Sequence, residues 1–241
     1  MTDPVRCNSL LKALPPEERR ALAPHLETVH LARGTVLAEA GAALGHVHFP
    51  HDGVVSSTLT MRDGGTAEIA TIGREGMAGM GVVLGHPQTM TRNVVQVAGA
   101  AARLPVTEFE AALARSPAVR ALCLSYAAAL LFQVMQSSAC NALHPTEQRL
   151  CRWLLLLHDR ASEDTLRLTQ EFLAEMLGVY RPTVTLVARS LQAAGLIRYR
   201  RGVIEVLNRA SLEEVSCECY RAVRAQYERL LPTPSPERPL S

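Results

Sequence analysis

Six arginines, Arg181, Arg189, Arg198, Arg200, Arg201 and Arg209, fall within residues 181–209 against one acidic residue, Glu205. A focused surplus of this kind attracts polyanions at long range, and a guanidinium fork pairs bidentately with phosphate or with the O6 and N7 of guanine. Residues 1–142 carry 11 basic and 11 acidic side chains and the whole chain is only +2, so the positive charge is local. Lys12 is the sole lysine; the other 24 cations are arginine. A second chemistry is metal ligation: His46-Val47-His48 places two imidazoles on one face of a strand, with His51 and Asp52 close behind. Cysteines supply a third, at Cys7, Cys123, Cys140, Cys151, Cys217 and Cys219. Nothing signals secretion, so these read as free thiols, and Cys217-Glu218-Cys219 is too isolated in sequence for a four-thiolate zinc site. No Ser/His/Asp set, phosphate loop or carboxylate pair stands out, which favours binding over catalysis.

The elements that must carry these groups follow from composition and pattern. With 241 residues, 48% hydrophobic and 20% charged, the chain has material for one large or two modest packed domains, which excludes a disordered protein. No run reaches the roughly 18 consecutive apolar residues of a membrane span; Trp153–Leu157 stops at His158. Met1-Thr2-Asp3-Pro4 lacks the basic, apolar opening of a secretory signal, and the expectation is a soluble, cytoplasmic protein with no membrane partner.

Ser9–Leu26 reads as a helical lead-in. Short apolar or alternating runs follow at Val29–Leu31, Val47–Phe49, Val54–Met61, Ala67–Ile72 and Val94–Val97, separated by turn signals that include Asp63-Gly64-Gly65 and Gly99. That spacing predicts an all-β sandwich or barrel. Ser116-Pro117 then reads as an N-cap with proline at the first helical position, opening a helix to about Asn141. Val119, Leu122, Tyr126, Leu130 and Val134, continued by Ala129, Ser137 and Cys140, recur at 3–4 spacing along it, and this stripe is the expected homodimer seam. His144-Pro145 breaks the run. The expected organisation is a β-barrel domain with its lead-in over 1–115, a dimerisation helix over 116–142, a second, helical domain over 143–231, and a disordered proline-rich tail over 232–241.

Residues 169–206 hold the clearest pattern. Thr169 is a good N-cap for an apolar-faced helix through Phe172, Leu173 and Met176; Gly178 supplies a tight turn; Pro182 opens a second helix that Gly195 ends. Two β-prone runs around Arg201-Gly202 complete a winged helix-turn-helix. Tyr180, Arg181, Thr183, Leu186 and Arg189 lie on the outer face of the second helix. Thr169 and Gln170 can hold a phosphate through backbone N–H groups, while Arg198, Arg200 and Arg201 grip the flanking backbone.

This order, with Val47–Val55, Leu168–Gly178, Arg181-Pro182-Thr183-Val184-Thr185 and Ala194-Gly195-Leu196-Ile197, resembles the Crp/Fnr family of bacterial transcription regulators over about residues 8–230. The resemblance implies an α+β fold: an N-terminal cyclic-nucleotide-binding-like β-barrel (jelly roll), a long dimerisation helix and a C-terminal winged helix-turn-helix. It further implies a homodimer on near-palindromic double-stranded DNA, with RNA polymerase as a further partner. Arg181 would read a base edge, and Thr169 and Thr183 would touch DNA; Pro182 and Leu186 replace polar readers of other members. The effector site would fall on Glu75, Gly76, Met77, Arg92 and Asn93. As a cyclic nucleotide site it is degenerate, because Gly76-Met77 stands where a ribose-binding Gly-Glu belongs and Asn93-Val94 follows Arg92. Only Cys7 lies where iron–sulfur members cluster their ligands. The competing reading is a cupin-like metal enzyme or sensor, since His46 and His48 resemble the first metal motif of cupins.

Overall fold

The computed structural model describes residues 7–161 and 165–231; the tail expected at 232–241 lies outside them. Two short helices, α1 (Ser9–Lys12) and α2 (Pro16–Leu22), lead in; Asn8 caps the first by accepting from the Leu10 and Leu11 N–H groups. Seven strands follow: β1 (Glu27–Leu31), β2 (Val36–Ala38), β3 (His46–Pro50), β4 (Val54–Thr60), β5 (Thr66–Ile72), β6 (Arg92–Val97) and β7 (Gly99–Pro105), with a one-turn helix α3 (Met80–Val83) between β5 and β6. The expected barrel is built as two antiparallel sheets, β1-β7-β3 and β2-β6-β4-β5. Leu31 and Ala101 of the first sheet share a buried core with Val55, Ile72 and Val95 of the second. The β4–β5 hairpin turns at Asp63-Gly64-Gly65 as expected, with the Asp63 carboxylate accepting from the Gly65 N–H at 3.0 Å. Gly99, read as a turn, instead opens β7: it lies against the Gly53 backbone, where a Cβ would sit 2.4 Å from the Gly53 nitrogen.

Helix α4 (Val106–Arg115) covers one end of the sheets, and Phe109 meets Phe49 edge to face at 6.1 Å. Helix α5 (Pro117–Leu143) starts where the cap predicts, the Ser116 hydroxyl accepting from the Val119 N–H, and ends at His144 before Pro145. By length and composition α5 is apolar enough to cross a membrane, yet its Gln133, Gln136 and Ser137 side chains bond to the rest of the chain, which marks it as a core helix with one bare side. Beyond it come α6 (Thr146–His158), β8 (Thr165–Arg167), α7 (Gln170–Leu177), α8 (Arg181–Ala193), β9 (Ile197–Arg200), β10 (Val203–Val206), α9 (Arg209–Val215) and α10 (Cys219–Leu230). Leu150, Leu154, Leu157, Leu173, Val184, Leu191, Ile197 and Ile204 form the core of this half, and α10 folds back along α5.

Candidate nucleic-acid interface

Thr169 caps α7 as its type predicts, its hydroxyl accepting from the Phe172 N–H at 3.2 Å. The chain then reverses at Gly178, whose φ of 62° is a conformation that side chains with a Cβ resist. Val184, Ala188 and Leu191 bury the inner face of α8. The outer face stays open: Tyr180 is 85% and Leu186 67% exposed, and Arg181, Pro182 and Arg189 are exposed beside them, with Thr183 partly so. The wing turns on Arg201 and Gly202, both at positive φ (51° and 76°), a hairpin turn matched to strand twist. Thr169, Gln170, Arg181, Tyr199, Arg201 and Gly202 therefore converge around one open depression of about 360 Å³.

Not every arginine of the surplus faces outward unpaired. Arg181 Nη1 lies 2.8 Å from Glu171, a residue the sequence reading passed over, and Arg198 pairs across the wing with Glu205 at 2.6 Å. Both pairs are exposed, so each costs little to open. Arg209 is turned inward onto Asp159, Glu213 and the Tyr220 hydroxyl. Arg189, Arg200 and Arg201 remain exposed, and the Gln170 side-chain oxygen Oε1 accepts from the Thr185 hydroxyl at 2.8 Å.

The long helix carries two apolar stripes, and the one expected as the seam packs largely within its own chain. Val119 and Tyr126 are fully buried, and Leu122 and Ser137 nearly so, within their own chain, while Leu130 and Val134 are half-buried. Tyr126 is drawn inward by its hydroxyl, which donates to the Met77 carbonyl at 3.1 Å. The bare side instead presents Ala121, Leu124, Ala128, Leu131, Met135, Ser138 and Ala142, whose alternating 3–4 spacing is that of a heptad repeat. Leu131 and Met135 are 59% and 62% exposed there.

Between α5 and the second sheet lies a cavity of about 310 Å³, lined by Ile72, Met80, Leu84, Met90, Leu130 and Val134, with Ser57, Thr89, Thr91 and Asn93 on the sheet side and Ala128 and Leu131 on the helix side. Of the residues expected to hold an effector, only Asn93 reaches it, its amide held by Ser57 and Thr89. Strand alternation turns Arg92 the other way, onto Glu39 at 3.3 Å. Gly76 lies flat under the Tyr126 ring, Met77 is fully buried, and Glu75 accepts from Arg160 at 2.7 Å.

That last contact belongs to a polar network joining sheet, long helix and C-terminal half. Arg160, just past α6, donates to Glu75, Thr71, the Leu156 carbonyl and Gln133. It threads past Gly73, where a Cβ would come within 2.5 Å of its chain. Nearby, Glu68 on β5 accepts from the Trp153 indole at 2.6 Å and from the Ser56 hydroxyl. Burial lifts its pKa from 4.5 to about 7, against the pull of those two donors and of Arg152 and Arg160. The folded value lies above the unfolded one, so the contribution is full below pH 4.5 and is lost as pH rises through 7. At ~1.4 kcal/mol per unit the ceiling is roughly 3 kcal/mol, less for partial solvent contact. Urea unfolding midpoints should therefore fall between pH 5 and pH 8 in the parent and stay more nearly level in Glu68→Gln; parallel profiles would remove Glu68 as the cause.

The remaining candidates separate cleanly. His46 and His48 share a face of β3, their ring centroids 6.3 Å apart, and burial together with His46 and Arg103 pushes the His48 pKa down to about 4. Neither a carboxylate nor a third imidazole joins them in a metal-sized cluster among the described residues. The Asp52 carboxylate accepts from the Ala100 N–H instead, at 2.6 Å. Cys217 and Cys219, judged isolated, are not: Cys140 and His144 of the long helix meet them in space.

Residues 148–215 match the Crp-like helix-turn-helix domain. A search of curated proteins found no match. Among solved structures, FixK2 from Bradyrhizobium japonicum superposes with a TM-score of 0.68 at 15% identity, covering 80% of this chain and 98% of that one. A CRP-family transcriptional regulator from Thermus thermophilus gives 0.65 at 17%, covering 78% and 96%. The c-di-GMP responsive global regulator CLP of Xanthomonas campestris gives 0.60 at 16%, covering 80% and 100%.

Proposed function

From a chain that carries a Crp-like helix-turn-helix domain at 148–215 on the fold of the Crp/Fnr regulators, we infer a DNA-binding transcription regulator that acts as a homodimer in the cytoplasm. One observation carries the reading: the outer face of α8, the cap of α7 and the wing open together onto solvent, with Arg181, Arg189, Arg200 and Arg201 around them. Two copies joined along α5 set their recognition helices about 34 Å apart, the spacing of successive major grooves. Arg181 leaves Glu171 and places its fork on a guanine edge, with Tyr180 and Thr183 alongside. The backbone N–H groups at Thr169 and Gln170, at the start of α7, take a phosphate, and Arg198, Arg200 and Arg201 hold the flanking backbone. On a promoter the bound dimer meets RNA polymerase; the protein binds and does not catalyse.

The test is selection of bound DNA from a random pool, then mobility shifts on the consensus. A mirror-symmetric consensus is expected. Arg181→Ala should cost about 1–3 kcal/mol on it and relax one base position, while Arg200→Ala weakens all DNA alike and lowers the salt slope by about one. If both variants bind as the parent does, these arginines do not touch DNA.

The effector that fits the cavity between α5 and the sheet is small and mostly apolar. A cyclic mononucleotide would bury its phosphate there with no guanidinium, since Arg92 points away. Calorimetry with cyclic AMP and cyclic GMP should give no binding heat; saturable binding that Arg92→Ala abolishes would overturn this assignment.

A further inference from the structure

Cys140, in the last turn of α5, lies 3.5 Å, sulfur to sulfur, from Cys217, which precedes α10. Cys219, the first residue of α10, lies 3.5 Å from Nδ1 of His144, the residue that ends α5. All four ligand atoms fall within 4.8 Å of one another, and the three cysteines are buried. With Zn–S bonds of about 2.3 Å and Zn–N bonds of about 2.0–2.1 Å, a tetrahedral centre needs roughly 3.8 Å between thiolates and 3.6 Å between thiolate and imidazole nitrogen. The observed cage needs only small shifts to meet that. Its surroundings are also those of a metal site. Glu218, between the two cysteines of the C-x-C, lies 3.3 Å from His144 Nε2. It thus accepts the proton that fixes the tautomer with Nδ1 facing the thiols, the carboxylate–histidine arrangement of zinc centres. Gln136 donates to the Cys219 sulfur at 3.1 Å. Arg152, a buried guanidinium within electrostatic reach of Cys140, has an Nε with no hydrogen-bond partner among the described residues. A centre of three thiolates, one imidazole and Zn²⁺ carries −1, opposite in sign to that cation.

We propose that Cys140, His144, Cys217 and Cys219 bind one Zn²⁺ in a closed tetrahedral site. All four positions are filled by protein, so the centre is structural rather than catalytic. Its location gives it a regulatory reach. Helix α6, which starts the DNA-reading half, begins two residues after His144, so the metal clamps the elbow between that half and α5 against the start of α10. An apo chain keeps the same elements with a looser elbow.

The test uses the full chain purified under reductant. Zinc measured by plasma emission should approach one per chain. Replacement by Co²⁺ should give thiolate-to-cobalt charge-transfer absorption and the visible bands of a tetrahedral ion. His144→Ala and Cys219→Ser should lose both signals, and Cys7→Ser should keep both. Glu218→Gln, at an exposed position that leaves every ligand in place, should keep the stoichiometry and weaken metal affinity by about 10–100-fold. Four reduced thiol-and-imidazole ligands that give no cobalt charge transfer would overturn the proposal. So would an iron–sulfur chromophore, or a Cys140–Cys217 disulfide in peptide maps of the protein as isolated under reductant. None of these readouts involves DNA, so the site stands or falls apart from the regulator assignment.

Discussion

Leu131→Asp should convert the protein to a monomer by sedimentation and weaken binding to its selected DNA by about two to four orders of magnitude. Leu131 stands mid-seam with Leu124 one heptad before it, and a two-fold axis would bring each copy against its mate. An aspartate there buries an unpaired carboxylate in each copy, at several kcal/mol per charge. Loss of the dimer then removes the effective concentration that the first half-site gives the second, worth about 10²–10⁴ in affinity. Because Leu131 is 59% exposed in the single chain, the fold itself should persist, and circular dichroism should be unchanged. A dimer of parental stability would mean that α5 pairs through some other face.

Arg160→Ala should destabilise the chain by about 3–5 kcal/mol in urea titration. The guanidinium makes four hydrogen bonds and is 6% exposed, while Glu75, its ion-pair partner, is 22% exposed. Removing the cation leaves that carboxylate, among the described residues, with the Gly73 N–H as its donor, and takes away the guanidinium that the Gln133 side-chain oxygen and the Thr71 hydroxyl accept from. The double variant Arg160→Met/Glu75→Gln should recover much of the loss, since a buried pair replaced on both sides costs far less than one broken on one side. A loss below about 1 kcal/mol for the single variant would show that water replaces the guanidinium freely.

The DNA-reading half was legible because its signals are local. Thr169, Gly178, Pro182, Gly195 and Arg201-Gly202 each dictate the backbone at their own position, and the structure uses each where the pattern placed it. The long helix was harder. Both of its stripes run at 3–4 spacing, so periodicity alone does not say which side meets its own chain. The informative difference is size and chemistry: Tyr126 needs a carbonyl for its hydroxyl and goes inward, whereas Ala121 and Ala128 suit a close helix pair. The effector residues rest on likeness to a motif, and strand alternation at Arg92-Asn93 turns Asn93 to the cavity beside α5 and Arg92 to Glu39. The cysteine cluster joins positions 77 apart in the chain, a proximity that only the return of α10 along α5 creates.

Ala128 and Leu131 both line the cavity and lie on the exposed stripe proposed as the seam, so a compound in the cavity that binds the single and the paired chain unequally couples to pairing. Thermodynamic reciprocity then makes association a heterotropic effector in its own right: a compound that tightens pairing must itself be held more tightly by the pair, by the same factor. Apparent dissociation constants for such a compound should therefore drift with protein concentration, and the drift would measure the coupling directly.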